Sequence, residues 1–190
     1  MTMTLRDALD RVVPHLGDAV RVHANGFLSR AAFGAGDSER SFYMIGSMGL
    51  ASSIGLGIAL ARPDLRVVVL DGDGNVLMNL GTLATIAAAA PPNLLHVCFD
   101  NSMHASTGGQ PTISDRVPLD ELARAAGYRW TGRVGPAEAL EAGLPTFLAR
   151  EGPAFLLVRI APGPPGPPGP RIPWTPPEMT KRLRRALGLG

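Results

Sequence analysis

Arg66-Val67-Val68-Val69-Leu70-Asp71-Gly72-Asp73-Gly74 is a run of branched apolar residues that leads straight into an acid flanked by glycines. An unbroken run of this kind is the pattern of a parallel strand buried on both faces. Residues 76–90 are helical in spacing and dense in alanine, and Pro91-Pro92 stops them. Residues 94–99 repeat the apolar strand and end at Asp100-Asn101. Strand, helix and strand in this order predict an α/β fold: three layers, a mostly parallel sheet with helices on both faces.

The same alternation extends outward. Leu5, Ala8, Leu9, Val12 and Val13 have helical spacing behind a capping Thr4. Short strands are expected at 20–23 and 42–45, with a loop and short helix between them over 25–40. A helix of small residues is expected over 51–61, its small side chains allowing close packing. Later come a helix over 118–127 with Pro118 near its first turn, a strand near 129–131, a helix over 136–149 and a last strand over 155–160. Residues 1–160 therefore read as one domain. Residues 161–174, rich in Pro and Gly, read as a stiff extended linker, and residues 175–190 as a C-terminal helix.

Composition narrows the function. The 190 residues are 45% hydrophobic with a net charge of +2, which suits a folded domain with a real core. The one basic cluster, Lys181 to Arg185, reads as the solvated end of a helix, so no nucleic-acid partner is expected. No apolar stretch reaches the roughly 20 residues of a membrane span, and no signal-type run opens the chain. The single cysteine, Cys98, reads as a core strand residue and fits a reducing compartment, so a cytoplasmic location is expected.

In such sheets ligands bind at the C-terminal ends of the strands. Both acid-bearing turns lie there. Gly72 and Gly74 let the backbone approach a ligand closely, and a helix opening near Asn75 offers N–H groups to a phosphate. The next strand delivers Asn101 beside Asp73. A carboxylate, an amide oxygen and a nearby backbone carbonyl make an open oxygen site for a hard cation, completed by phosphate oxygens and water. Asp-Gly alone is a common turn pair. The 25 residues at 75–99 distinguish this one, because they suffice for one helix and one strand and so let the two ends meet.

Gly72-Asp73-Gly74 with Asp100-Asn101 resembles the signature of thiamine diphosphate enzymes, a Gly-Asp-Gly followed by a pair usually written Asn-Asn. Asp100 replaces the first Asn; the second, the metal ligand of the family, is present as Asn101. The resemblance implies Mg2+ held by Asp73, Asn101 and the backbone carbonyl of Met103, with Gly72, Gly74 and Asn75 also at the cofactor. Gly46-Ser47-Met48-Gly49 resembles the segment that holds the aminopyrimidine ring. There Met48 would force the cofactor into a V shape, and the Gly46 and Met48 backbones would bond the ring. Residues 43–49, 59–66 and 104–112 resemble phosphonopyruvate and sulfopyruvate decarboxylases, and residues 172–179 resemble the tail of sulfopyruvate decarboxylase β subunits.

The resemblance also implies what must come from elsewhere. In the family a glutamate on a separate pyrimidine-binding domain activates the cofactor, and no second α/β unit precedes Tyr43. The chain is therefore expected to be the β subunit of a hetero-oligomer, completed by a pyrimidine-binding α subunit that carries the glutamate. Its substrate would be a small 2-keto acid, a 3-sulfo- or 3-phosphonopyruvate, released as aldehyde and CO2. His104 is the candidate catalytic residue, donating or orienting a proton; Ser106, Thr107 and Gln110 are candidate pocket donors. Arg30 or Arg40 are candidates to meet the substrate anion, while His15, His23 and His96 are expected to be structural. Rival readings are a carboligase subunit and a non-catalytic regulatory domain. A dinucleotide-binding domain is disfavoured because no Gly-x-Gly-x-x-Gly follows the first strand.

Overall fold

A computed structural model describes residues 3–163 and 169–189. The centre of the expected linker, residues 164–168, lies outside the described residues.

The main sheet has six strands, all parallel, in the order β2-β1-β3-β4-β8-β7. These are β1 (Val20–His23), β2 (Ser41–Tyr43), β3 (Val67–Gly72), β4 (Leu94–Asp100), β7 (Trp130–Val134) and β8 (Ala154–Arg159). A two-stranded antiparallel hairpin, β5 (Met103–His104) with β6 (Gln110–Pro111), stands apart. One helical layer contains α1 (Leu5–Val12), α2 (Phe27–Ala35) and α7 (Ala137–Leu148), with α1 touching both others. The other contains α3 (Ala51–Ala61), α5 (Gly81–Ala89) and α6 (Leu119–Ala126), in contact in that order. This is the three-layer α/β arrangement the apolar runs predict. Between the layers, β3 and β4 bury every residue except the last of β3, Gly72, as central parallel strands must.

Local chemistry sets several boundaries. Thr4 accepts the Asp7 N–H while the Asp7 carboxylate takes the Thr4 N–H, a complete capping box for α1. Pro118 is the N-cap of α6 rather than part of its first turn, and Gly127 closes that helix in the left-handed region at φ 107°.

The expected helix over 76–90 is a correction. It is two helices, α4 (Asp73–Met78) and α5, broken at Asn79, whose φ and ψ are −148° and 59°. Asn and Gly are weak helix formers, and Asn79-Leu80-Gly81 lets the chain leave its axis there. The first helix also opens at Asp73, not near Asn75.

The last helix, α8 (Pro176–Ala186), lies against β2, burying Met179 and Leu183. The Tyr43 N–H donates to Met179 Sδ at 2.9 Å. Arg182, inside the basic cluster expected to be merely solvated, pairs with Asp37 and lies 4.0 Å over the Trp174 ring.

Candidate functional site

Chain direction across the sheet reverses between β1 and β3: β1 leads outward to its neighbour β2, whereas β3 leads the other way to β4. A crevice opens at such a switch point beyond the strand ends. It holds a cavity of about 80 Å3, walled by Asn25 and Phe27 after β1, residues 72–75 after β3, residues 101 and 103–106 after β4, Ile160 after β8, and Met48. Met48, Gly72, Asp73, Gly74, Asn75, Asn101, Met103 and His104 thus share one cavity. Gly74 lets the His104 ring and the Met48 side chain close over it: a Cβ there would lie 2.5 Å from His104 Nδ1 and 3.2 Å from Met48 Cε, so both side chains would have to shift.

Asp73 is only 2% exposed. Its Oδ2 accepts from Thr112 Oγ1 at 2.5 Å and lies 3.4 Å from Ser114 Oγ. Ser114 Oγ also donates to Asp100 Oδ1 at 2.7 Å and lies 3.2 Å from Ser102 Oγ. Asp100, fully buried, takes the Ser102 N–H at 3.0 Å and pairs with Arg159 Nη1 at 2.5 Å across the β4–β8 register. The Asp that replaces the usual Asn is therefore charge-balanced from the adjacent strand. Burial, with the nearby Asp100 charge, holds the Asp73 carboxyl above its ordinary range, although the Thr112 hydroxyl opposes this. Ser102 carries a left-handed φ of 58°, held by these bonds.

A second network lies beneath the cavity. Asn75 Oδ1 accepts the Gly49 N–H at 2.7 Å, and Asn75 Nδ2 donates to Asp71 Oδ1 at 2.5 Å. Asp71 Oδ2 lies 3.1 Å from His96 Nε2, and His96 Nδ1 lies 3.4 Å from the Tyr128 hydroxyl. Asp71 and His96 are both fully buried. Asn75 lines the cavity, and its side-chain amide also joins the 46–49 turn to the strand beneath it, with Gly49 at φ 97°.

Other candidates are placed less uniformly. Gly46 and Ser47 are exposed and line a separate apolar groove with Phe42, Leu50, Ile54 and Met179. Thr107 and Gln110 bond to each other at 3.2 Å, while Ser106 reaches the main cavity. Arg40 is at the opposite end of the sheet, bonded to the Asp18 carbonyl, and so cannot meet a ligand at this cavity. Arg30 Nε donates to the Gly169 carbonyl at 2.8 Å. His23 is fully buried, stacked on Tyr43, and burial lowers it to about 3. Cys98 is buried in β4, and burial pushes its thiol well up. Sequence reasoning missed Asn25 and Phe27, Ser114 and Arg159. Only Asn25 had a legible signal, since it too follows an apolar strand.

The residues fit a magnesium–diphosphate group. Among the described residues no cluster of three or more His, Cys, Asp or Glu side chains could hold a metal unaided. An open set of one buried carboxylate and neutral oxygens suits a magnesium ion, which commonly takes one or two carboxylates and completes its octahedron with phosphate and water. Asn101 Oδ1 accepts only the Met103 N–H at 3.1 Å among its described bonds, and a carbonyl oxygen has a second lone pair. The cavity is small beside the roughly 300–1,000 Å3 of pockets that enclose a whole ligand. Ile45, Leu50 and Met78 are exposed large apolar side chains on or beside the turn that carries Met48.

The family profile described as thiamine pyrophosphate enzyme, C-terminal TPP binding domain, matches residues 29–158. Phosphonopyruvate decarboxylase of Streptomyces viridochromogenes is 44% identical over 178 residues, 93% of this chain and 44% of that protein. Sulfopyruvate decarboxylase subunit beta of Methanothermobacter thermautotrophicus is 44% identical over 160 residues, 83% of this chain and 82% of that one. The chain thus spans less than half of the first relative but most of the second. Among solved structures, a putative thiamin diphosphate-dependent enzyme from Mycobacterium smegmatis matches with a TM-score of 0.69 at 23% identity, covering 85% of this chain and 33% of that one. That likeness supports the fold.

Proposed function

The chain belongs to the thiamine pyrophosphate enzymes, through their C-terminal TPP binding domain, and from that premise we propose that it is the diphosphate-binding subunit of a two-subunit 2-keto acid decarboxylase. The observation that carries this reading is the convergence of Met48, Gly72-Asp73-Gly74, Asn101 and Met103 on one crevice at the switch point. The 82% coverage of a sulfopyruvate decarboxylase β subunit supports the subunit assignment, and the matched names support a 3-sulfo- or 3-phosphonopyruvate as substrate.

Asp73, Asn101 and the Met103 carbonyl would hold Mg2+, and the Gly72 and Gly74 backbone would approach the diphosphate. Thr112 and Ser114 fix the Asp73 carboxylate, and Gly46, Ser47 and Met48 would present the turn to the aminopyrimidine ring. When bound, thiamine diphosphate would supply an electron sink for the electron pair left on the substrate's former keto carbon as CO2 departs. His104, in the cavity wall over Gly74, would donate or orient a proton at the substrate oxygen. No glutamate lines this cavity among the described residues, so the activating carboxylate is assigned to a pyrimidine-binding α subunit seated on the apolar rim. Among the described residues no helix is long and apolar enough to cross a membrane. The one cysteine, free and buried in β4, supports the proposed cytoplasmic location.

The test is reconstitution with a pyrimidine-binding partner. Sulfopyruvate or phosphonopyruvate should release CO2 and free aldehyde, dependent on Mg2+ and thiamine diphosphate and lost in Asp73→Ala. Transfer of the substrate's acyl carbon to a second keto acid, without free aldehyde, would identify a carboligase instead.

A further inference from the structure

A second cavity adjoins the cofactor crevice and has no role so far. It is about 220 Å3, walled by Gly26, Arg30, Met44, Ile45, Arg171 and Ile172, with Ser29 behind them. Its wall carries two arginines, and among the described residues no carboxylate lines it.

Its position relative to the crevice is fixed by backbone. A Cβ on Gly26 would lie 3.1 Å from Ser106 Oγ, and Ser106 is a wall of the cofactor cavity. Ile45 immediately precedes the 46–49 turn. Buried Ser29 Oγ donates to the Ala24 carbonyl at 2.6 Å and lies 3.1 Å from the Met44 carbonyl, where the ends of β1 and β2 meet behind the cavity. The segment carrying Arg171 is seated on α2: Arg30 Nε donates to the Gly169 carbonyl at 2.8 Å, and Gly169 packs so closely on the Arg30 carbonyl that any side chain there would collide. One arginine therefore comes from α2 and the other from a segment after the Pro/Gly-rich stretch, brought together only by the fold.

Planar guanidinium groups match the oxygens of a tetrahedral oxyanion and lose little solvation on binding it. Apolar Met44, Ile45 and Ile172 suit the methylene that carries such a group. We propose that this cavity is the subsite for the anionic 3-substituent of the substrate, a sulfonate or phosphonate, held by Arg30 and Arg171. This assignment rests on reading the chain as a decarboxylase of 3-substituted pyruvates and makes Arg30 and Arg171 its specificity-determining residues.

The experiment has a binding arm and a kinetic arm. The full chain is titrated calorimetrically with 3-sulfopropionate and 3-phosphonopropionate, which carry the substituent and a carboxylate but have no keto carbon to react. Wild-type chain should bind either one, Arg171→Met should weaken binding about tenfold or more, and Arg30→Lys should retain more affinity than Arg30→Met. Arg171 is exposed, so its variant should keep the wild-type melting temperature. Propionate should not bind. Wild-type-like affinity in Arg171→Met, no binding by wild type, or inorganic sulfate binding as tightly as 3-sulfopropionate would overturn the assignment. In the reconstituted complex, Arg171→Met should raise KM for sulfopyruvate or phosphonopyruvate about tenfold or more, well beyond its effect on KM for pyruvate; equal losses on both would also overturn it. If binding follows the expected pattern while no 2-keto acid is decarboxylated, the proposed reaction fails and the anion subsite stands.

Discussion

Two regions of this sheet are built from opposite materials. Under α7, the buried side chains of Leu140, Leu144, Phe147 and Leu156 wall one cavity together with Trp130, and what holds them is apolar area. Around the C-terminal ends of β3 and β4, the buried groups include Asp71, Asp73, Asn75 and Asp100, with His96 beneath them in mid-strand. Each is held by directional bonds to hydroxyls, amides, an imidazole or the Arg159 guanidinium. Apolar packing stabilises the fold with little demand on exact position. Buried polar groups cost desolvation and recover it only when every partner is in place. The polar end therefore trades stability for a fixed arrangement of the atoms that meet a ligand.

Breaking the apolar region should have the largest effect on stability. Phe147→Ala should cost about 3–5 kcal/mol in denaturant unfolding, while protein that remains folded keeps its affinity for the cofactor. Breaking the polar region should reverse that pattern. Asp73→Asn should weaken binding of magnesium and thiamine diphosphate by calorimetry about 100-fold, or roughly 2.8 kcal/mol at 1.4 per factor of ten, and leave the protein folded.

Arg159→Met should cost about 1–3 kcal/mol of stability by leaving buried Asp100 unpaired, less than a fully buried pair because Arg159 is partly exposed. Asp100→Asn in the same chain should recover most of that loss. Thr112→Val should weaken cofactor binding by about 1 kcal/mol, since it removes one hydroxyl from a charged acceptor.

The smallest effect concerns pH. The folded state holds the Asp73 carboxyl above its ordinary 3.8, so it favours the protonated form. Stability from that preference is present below pH 3.8 and is lost as pH rises through the folded value. Asparagine cannot ionise. Ligand-free Asp73→Asn should therefore melt above wild type at pH 7.5, and the difference should close as pH falls toward 3.8. A constant difference across that range would mean the effect is not ionisation.

Reading the chain from residues alone located the strands well because each central strand is an unbroken apolar run with a punctuated end. It misread 76–90 as one helix because alanine density conceals a break that depends on Asn79 and Gly81, and on the packing of Gly49 against Met78 and Asn79. Asp73 and Asn101 were legible because strand ends position them, whatever surrounds them. The side-chain role of Asn75 was not, since its partner Gly49 lies 26 residues away. Nor was that of Arg159, 59 residues from Asp100.

By itself, the sequence determined the α/β class, the order of its elements and the acid-and-amide pair at neighbouring strand ends, because all of these follow from periodicity and chain connection. Only the tertiary structure decided that Asp100 is balanced by Arg159, that Asn75 bonds the turn beside Met48 and that Arg30 and Arg171 share a cavity. Such pairings depend on which strands and segments become neighbours, and hydrogen bonds and ion pairs act only at contact distance.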